Sequence, residues 1–252
     1  LKMLRAVSAI GFALTTFAGH QAMAAQEPLK IGFVAELSGP QAPLGEDQYA
    51  GFMLRVDMNG GKLGGVPVQV LREDSQLKAE VAAQVTQKLI QKDGVQIITG
   101  LTFSPMAAAT VKVATQNKVF VVISNGTTNA MAGEECSPYQ YITSWQPELL
   151  SATLAHYANN KGYKHISLMA PNYASGKNFL ATFKHIFKGQ VLDEIYTPLS
   201  QQDFSAEILQ VSASKPDAVF VFYPGGLGIN FVRQYQQAGL GKTNPAVDAW
   251  RS

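Results

Sequence analysis

One cysteine, Cys136, stands in a chain of 252 residues. An internal disulfide is excluded, and with it the small disulfide-stapled scaffolds. Cys136 reads as a small buried hydrophobe or as a cysteine that has lost its partner. No cluster of His or acidic residues accompanies it, so a catalytic thiol is the least supported reading. Charge is scarce too, at 15% of residues, with 20 basic against 18 acidic. No basic block occurs, so nucleic-acid binding has no electrostatic footing. After residue 24 no apolar stretch approaches the roughly 20 residues that a membrane-crossing helix needs.

The motifs of catalysis are missing as well. No Gly-x-Ser-x-Gly elbow occurs. Gly226 to Phe231 opens like a dinucleotide fingerprint, but Phe231 stands where the third glycine belongs. Gly241-Lys242-Thr243 resembles the end of a phosphate loop whose leading glycine would fall at Gln236. His156, His165 and His185 lack metal-ligand spacing. Asp74 follows a strand and precedes a helix, which suits a turn or cap better than a ligand contact. The reading is of a protein that is not an enzyme, with no catalytic residue, metal or cofactor.

What is present is apolar: 46% of the chain, enough for one large domain or two small ones. The first 24 residues have the form of a cleavable leader. Lys2 and Arg5 supply a positive start, Ala6 to Ala18 carries no charge, and Ala22-Met23-Ala24 fits the small-x-small pattern of signal peptidase. The expected mature chain begins at Ala25, is exported, and is neutral, with 18 residues of each sign.

From residue 29 strand and helix signals alternate. Strands are expected over Leu29 to Ala35, Val66 to Leu71, Val95 to Thr99 and Val119 to Ile123. Helices are expected over Gly45 to Met58, Ala79 to Lys92 and Ser104 to Gln116. A second series has helices at Glu148 to Asn160, Gly176 to Phe187, Phe204 to Ala213 and Gly228 to Ala238. Its strands are His165 to Ala170, Val191 to Tyr196 and Ala218 to Tyr223. Tyr139 to Pro147 lies between the series as the crossover. Such alternation means α/β architecture, with parallel sheets covered by helices on both faces. Ligands of open parallel sheets bind beyond the carboxyl ends of the strands. Those ends carry Glu36-Leu37-Ser38-Gly39-Pro40, Thr102-Phe103-Ser104, Ser124 to Asn129, Pro171-Asn172-Tyr173 and Tyr223 to Gly226. They are mostly small or hydroxyl residues with two tyrosines, a set that hydrogen-bonds and stacks but lacks an acid, base and nucleophile. Ser104 followed by Pro105 is a strong helix start, which serves as a cap, as an anion site, or as both.

Residues 31 to 74, "IGFVAELSGPQAPLGEDQYAGFMLRVDMNGGKLGGVPVQVLRED", resemble the opening of periplasmic substrate-binding proteins of the branched-chain amino acid type of ABC transporter. "LTFSPMAAA", "VFVVISNGTTN", "APNYASGKN" and "KPDAVFVFYPGGLGINFVRQYQQAGL" match later stretches of that family in order. The resemblance implies two doubly wound parallel-sheet lobes of the type I periplasmic binding protein kind, over residues 25–145 and 146–252. They close on a small ligand and deliver it to an inner-membrane permease. It implies a periplasmic monomer. It implies that Ser104 takes the ligand carboxylate together with Gly126 and Thr128, and that Tyr173 closes over the ligand. Ser38, Phe103 and Thr127, from the same strand-end loops, complete the candidate set. Leu44 and Leu227 stand where amino-acid binders of the family often carry aromatics, and "FYPGGLGINF" is closer to members that take up aromatic or other carboxylic acids. A carboxylate ligand, aromatic or otherwise, is therefore expected ahead of a branched-chain amino acid.

The resemblance fades after Gly241, whereas family members run on. "KTNPAVDAWRS" reads as neither strand nor helix, so the second lobe is expected to be incomplete and the strand at Ala218 to Tyr223 to have an unpaired edge. Three other readings stay open at this point: a sensor of the same fold, an exported α/β enzyme, and a non-functional fragment.

Overall fold

The computed structural model describes residues 27–241 and the backbone of Ala246–Asp248. The leader expected over residues 1–24 lies outside the described residues. The first strand, β1 (Leu29–Ala35), is buried over its last five residues. Helix α1 (Ala42–Met58) begins earlier than expected, because Pro43 sits in its first turn, where a missing N–H costs nothing. A short hairpin follows, β2 (Lys62–Leu63) with β3 (Val66–Asp74). Then come α2 (Ala79–Gln91), β4 (Ile97–Gly100), α3 (Ser104–Gln116), β5 (Phe120–Ile123) and β6 (Gln140–Ile142). The second series is α4 (Pro147–Lys161), β7 (His165–Pro171), α5 (Ala174–Ile186), β8 (Gln190–Thr197), α6 (Ser205–Ser214), β9 (Ala218–Val221), α7 (Gly226–Gln237) and β10 (Ala246–Asp248).

These strands form two sheets, one per lobe. The first has the order β2-β3-β1-β4-β5-β6, the second β10-β9-β7-β8. All pairings are parallel except that of β2 with β3. In both lobes the first strand has its successor on one side and the following parallel strand on the other. The chain therefore reverses direction across the sheet between β1 and β4, and again between β7 and β9. Strands with helices on both faces read as continuous apolar runs, and β9, Ala-Val-Phe-Val, is buried at every residue.

Four expectations are corrected. The segment around Tyr139 is not only a crossover, since Gln140–Ile142 pairs with β5 as the outer strand of the first sheet. The chain after Gly241 does form a strand, Ala246–Asp248, and it pairs with β9. β9 thus has neighbours on both sides, β10 and β7, and no free edge. Cys136 is exposed, which removes its reading as a buried hydrophobe.

One cluster of buried side chains runs through both lobes. Phe103 meets Tyr173 across the cleft at 6.2 Å between ring centroids, and Tyr173 stacks on Phe222. Phe222 lies on Phe179 at 3.7 Å, with Trp145 edge-on to both. Aromatic contacts of this kind each add about 0.5–1.5 kcal/mol beyond area burial. Among the described residues no helix is long and apolar enough to cross a membrane.

Candidate functional site

Where strand order reverses, the loops at the strand ends splay apart and leave a crevice. In the first lobe that crevice lies between the loops after β1 and β4. In the second it lies between those after β7 and β9, and the two crevices face each other. Three helices begin on this seam: α3, α5 and α7. None has a side-chain cap; the preceding residues are Phe103, Tyr173 and Gly225. Uncapped helix starts carry unpaired N–H groups and a partial positive charge, which suits an anion.

Ser104 is the first residue of α3 rather than its cap, because Phe103 before it is extended, with φ −120° and ψ 145°. Its hydroxyl is freed from the helix and faces the other lobe, where it accepts a 3.4 Å hydrogen bond from the Ser175 N–H in the first turn of α5. The side chain is 1% exposed. Around it lies a cavity of about 10 Å³, lined by Phe103, Ser104, Gly126 and Tyr173 from the candidate set. That is room for about one water. Thr102, Asn125, Trp145, Ser175, Phe222 and Pro224 complete the wall. It opens beside a larger cleft of about 340 Å³, walled by Leu44, Asp47, Gln48, Thr102, Ser124, Asn125, Pro224 and Gly225. This size is in the range of small-molecule pockets.

Of the other candidates, Thr127 is tied to the facing lobe, and Thr128 and Gly126 to their own loops. Thr127 donates its hydroxyl to the Trp145 carbonyl at 3.1 Å, and its own carbonyl accepts from the Ser175 hydroxyl. The Thr128 hydroxyl accepts from the Met131 N–H. The Gly126 N–H donates to the Leu101 carbonyl at 2.7 Å. A Cβ on Gly126 would sit 2.5 Å from the Phe103 carbonyl carbon, so only glycine lets this loop reach the start of α3. Ser38 is exposed on the rim, beside the Asp74 carboxylate, and lines neither cavity. Leu227 is buried in the second lobe's core, away from the cleft, whereas Leu44 lines it. The Asn129 N–H reaches Asn178 Oδ1, and Gln41 Nε2 reaches the Leu199 carbonyl, each at 3.4 Å across the seam.

Among the described residues no Lys, Arg or His lines either cavity. Burial pushes the Tyr173 phenol far above its ordinary range, and the nearby Glu36 adds to this, so the hydroxyl stays neutral. Burial likewise raises the Glu36 carboxyl, with Asp74 adding its repulsion. Asp74 goes the other way: burial works against its charge, but bonds from the Ser38 hydroxyl and the Leu37 and Gln76 N–H groups outweigh that and hold it low. Among the described residues no group of three or more His, Cys, Asp or Glu could hold a metal ion.

Sequence reasoning did not single out Glu36, Thr102, Gln48 and Ser175. Glu36 and Thr102 stood in the strand-end loops without being chosen; Gln48 and Ser175 lie within α1 and α5 and line the cavities through the packing of those helices.

The family model described as periplasmic binding protein matches residues 28–250. A Leu/Ile/Val-binding protein homolog of Brucella melitensis is 30% identical over 233 residues, covering 90% of this chain and 59% of that protein. A solute-binding protein of an ABC transporter from R. palustris, solved in complex with benzoate, superposes with a TM-score of 0.84 at 28% identity, over 88% of this chain and 62% of that one. One from Rhodopseudomonas palustris BisB5 with 3,4-dihydroxybenzoic acid gives 0.83 at 30%, over 88% and 61%. The branched-chain amino acid transporter substrate-binding protein LivJ of Streptococcus pneumoniae, with isoleucine, gives 0.77 at 25%, over 88% and 64%. The chain thus spans about three fifths of the length of these relatives. By description they are binding proteins, not enzymes.

Proposed function

The chain belongs to the periplasmic binding protein family, and from that premise we propose that it is the solute-binding component of an ABC importer, holding a small carboxylate between its two lobes. The observation that carries this reading is the start of α3: an uncapped helix terminus with the buried Ser104 hydroxyl, facing the start of α5 across a cavity. With no cation in the wall, an anion there is held by helix N–H groups and hydroxyls. The adjoining cleft, with Leu44, Pro224 and Gly225 in its wall, takes the apolar body of the ligand. Relatives solved with benzoates and with isoleucine are all carboxylate binders by their descriptions. The apolar wall and the aliphatic Leu44 favour an aromatic or other organic acid.

On this reading residues 25–145 and 146–252 are the two jaws. The protein works as a monomer in the periplasm, exported by a leader over residues 1–24, and hands its ligand to an inner-membrane permease. Calorimetry with benzoate, 4-hydroxybenzoate, 3,4-dihydroxybenzoate and isoleucine, with benzamide as the uncharged control, tests the ligand class. The aromatic carboxylates should bind and benzamide should not. Equal binding of benzamide and benzoate, or binding of none of the acids, overturns the reading.

A further inference from the structure

Glu36 follows β1, at the strand end where the first lobe's crevice opens, and has no exposed surface. The Ser75 hydroxyl donates to its Oε1 at 3.1 Å. Its Oε2 has no hydrogen-bond partner among the described residues. An ionised carboxylate buried this fully needs several donors or a cation.

Among the described residues no cation is near, and the donors are few: the Ser75 hydroxyl and the Glu36 N–H itself. Thr102 is the other hydroxyl beside the carboxyl, and its single proton goes to Gln48 instead. Ser124 Oγ donates to the Gly100 carbonyl at 2.7 Å, and a carbonyl can only accept. Ser124 must then accept from Gln48 Nε2, also at 2.7 Å. That fixes the amide so that Gln48 Oε1 faces Thr102 and takes its proton at 3.1 Å. Thr102 Oγ is left able only to accept, and an O–H on Glu36 suits it where a carboxylate does not. The charges packed around Glu36 do not favour an anion either. At the end of β3 Asp74 is ionised, and from the second lobe Tyr173 offers a neutral phenol. Helix α1, whose Gly45 lies on the Glu36 backbone, brings Glu46 and Asp47; Glu46 is taken up by Arg72.

We propose that Glu36 is kept as a neutral carboxylic acid and acts as a proton-dependent selectivity residue, so that the cleft accepts a carboxylate only while Glu36 holds its proton. The proposal rests on the carboxylate reading above. The cleft has Asp47 in its wall and, among the described residues, no Lys, Arg or His, so helix dipoles and hydroxyls alone offset a bound anion. A further negative charge on Glu36, beside Thr102, which lines both cavities, repels it. Raising the pH releases the Glu36 proton to solvent and expels the ligand.

Benzoate titrations of the full chain from about pH 6 to about pH 9, above the ordinary carboxylate range, test this. Wild-type affinity should fall as the pH rises, approaching tenfold per pH unit beyond the Glu36 pKa. Glu36→Gln keeps the shape without the proton, so its affinity should stay flat and exceed wild type at the alkaline end. An infrared carbonyl band of a protonated carboxylic acid should be present in the ligand-free wild type near neutrality and absent in Glu36→Gln. Flat wild-type affinity, or no such band, overturns the proposal. If benzoate binds at no pH, the carboxylate reading fails, and the infrared comparison still decides the state of Glu36. Should Glu36→Gln not fold, the loss of that band in wild type with rising pH decides instead.

Discussion

Ser104 opens α3 as its first helical residue, and that position decides what its hydroxyl does. A capping side chain turns back onto the N–H groups of the first turn; one residue later the side chain points away from the helix and reaches the Ser175 N–H of the other lobe. Ser104→Ala should therefore weaken carboxylate binding by about 1.5–3 kcal/mol, as for a hydrogen bond to a charged group. It should change ligand-free stability by less than the roughly 1 kcal/mol of a lost cap. Calorimetry and thermal melts on the same protein separate the two. The Ser-Pro pair made the helix start legible in the sequence. The direction of the side chain was not legible, because it depends on the extended backbone of Phe103. Glu36 was legible only as part of a strand-end loop; its burial was not, because what buries it comes from Gly45, Ser75, Thr102 and the facing lobe. Its raised pKa has a stability sign. The neutral form is the one the fold favours, so its contribution is full below the ordinary carboxylate value and is lost as the pH rises through the raised value. The melting temperature of wild type should drop below that of Glu36→Gln as the solution is made alkaline. Parallel curves at all pH values would contradict this.

At the scale of the elements, the long periodic segments were legible to within a few residues, and α3 and β1 at both ends. β2, β6 and β10 were not. They are two or three residues long, too short for a periodicity, and exist only through pairing with β3, β5 and β9. Helix placement depends on equivalent glycines in the two lobes. Gly45 in α1 packs on the Glu36 carbonyl and Gly176 in α5 on the Pro171 carbonyl; a Cβ at either would lie 2.1 Å from that oxygen. Gly176→Ala should force α5 off the end of β7 and cost about 1–3 kcal/mol, the range for overpacking. Gly51 is the contrast: it is exposed in the middle of α1, with nothing within 4 Å of a Cβ. Gly51→Ala should stabilise by about 0.5–1 kcal/mol. Urea melts of the two variants should move in opposite directions; both moving the same way would contradict the packing account.

At the scale of the molecule, the two lobes repeat one strand order, so each brings a crevice of the same kind to a shared seam. The fold class could be read from alternation alone, while the closure of the seam could not, because Ser104 with Ser175, Asn129 with Asn178 and Gln41 with Leu199 are distant in sequence. The central claim is that this seam holds a carboxylate, with the anion at the start of α3 and the apolar body toward Leu44. A crystal structure of the protein with 4-bromobenzoate tests it most directly, since anomalous scattering fixes the bromine and hence the orientation. The account predicts the carboxylate within hydrogen-bond distance of Ser104 Oγ and the bromine in the cleft walled by Leu44, Pro224 and Gly225. A bromine peak outside the seam, or a ligand whose carboxylate points away from Ser104, would contradict it.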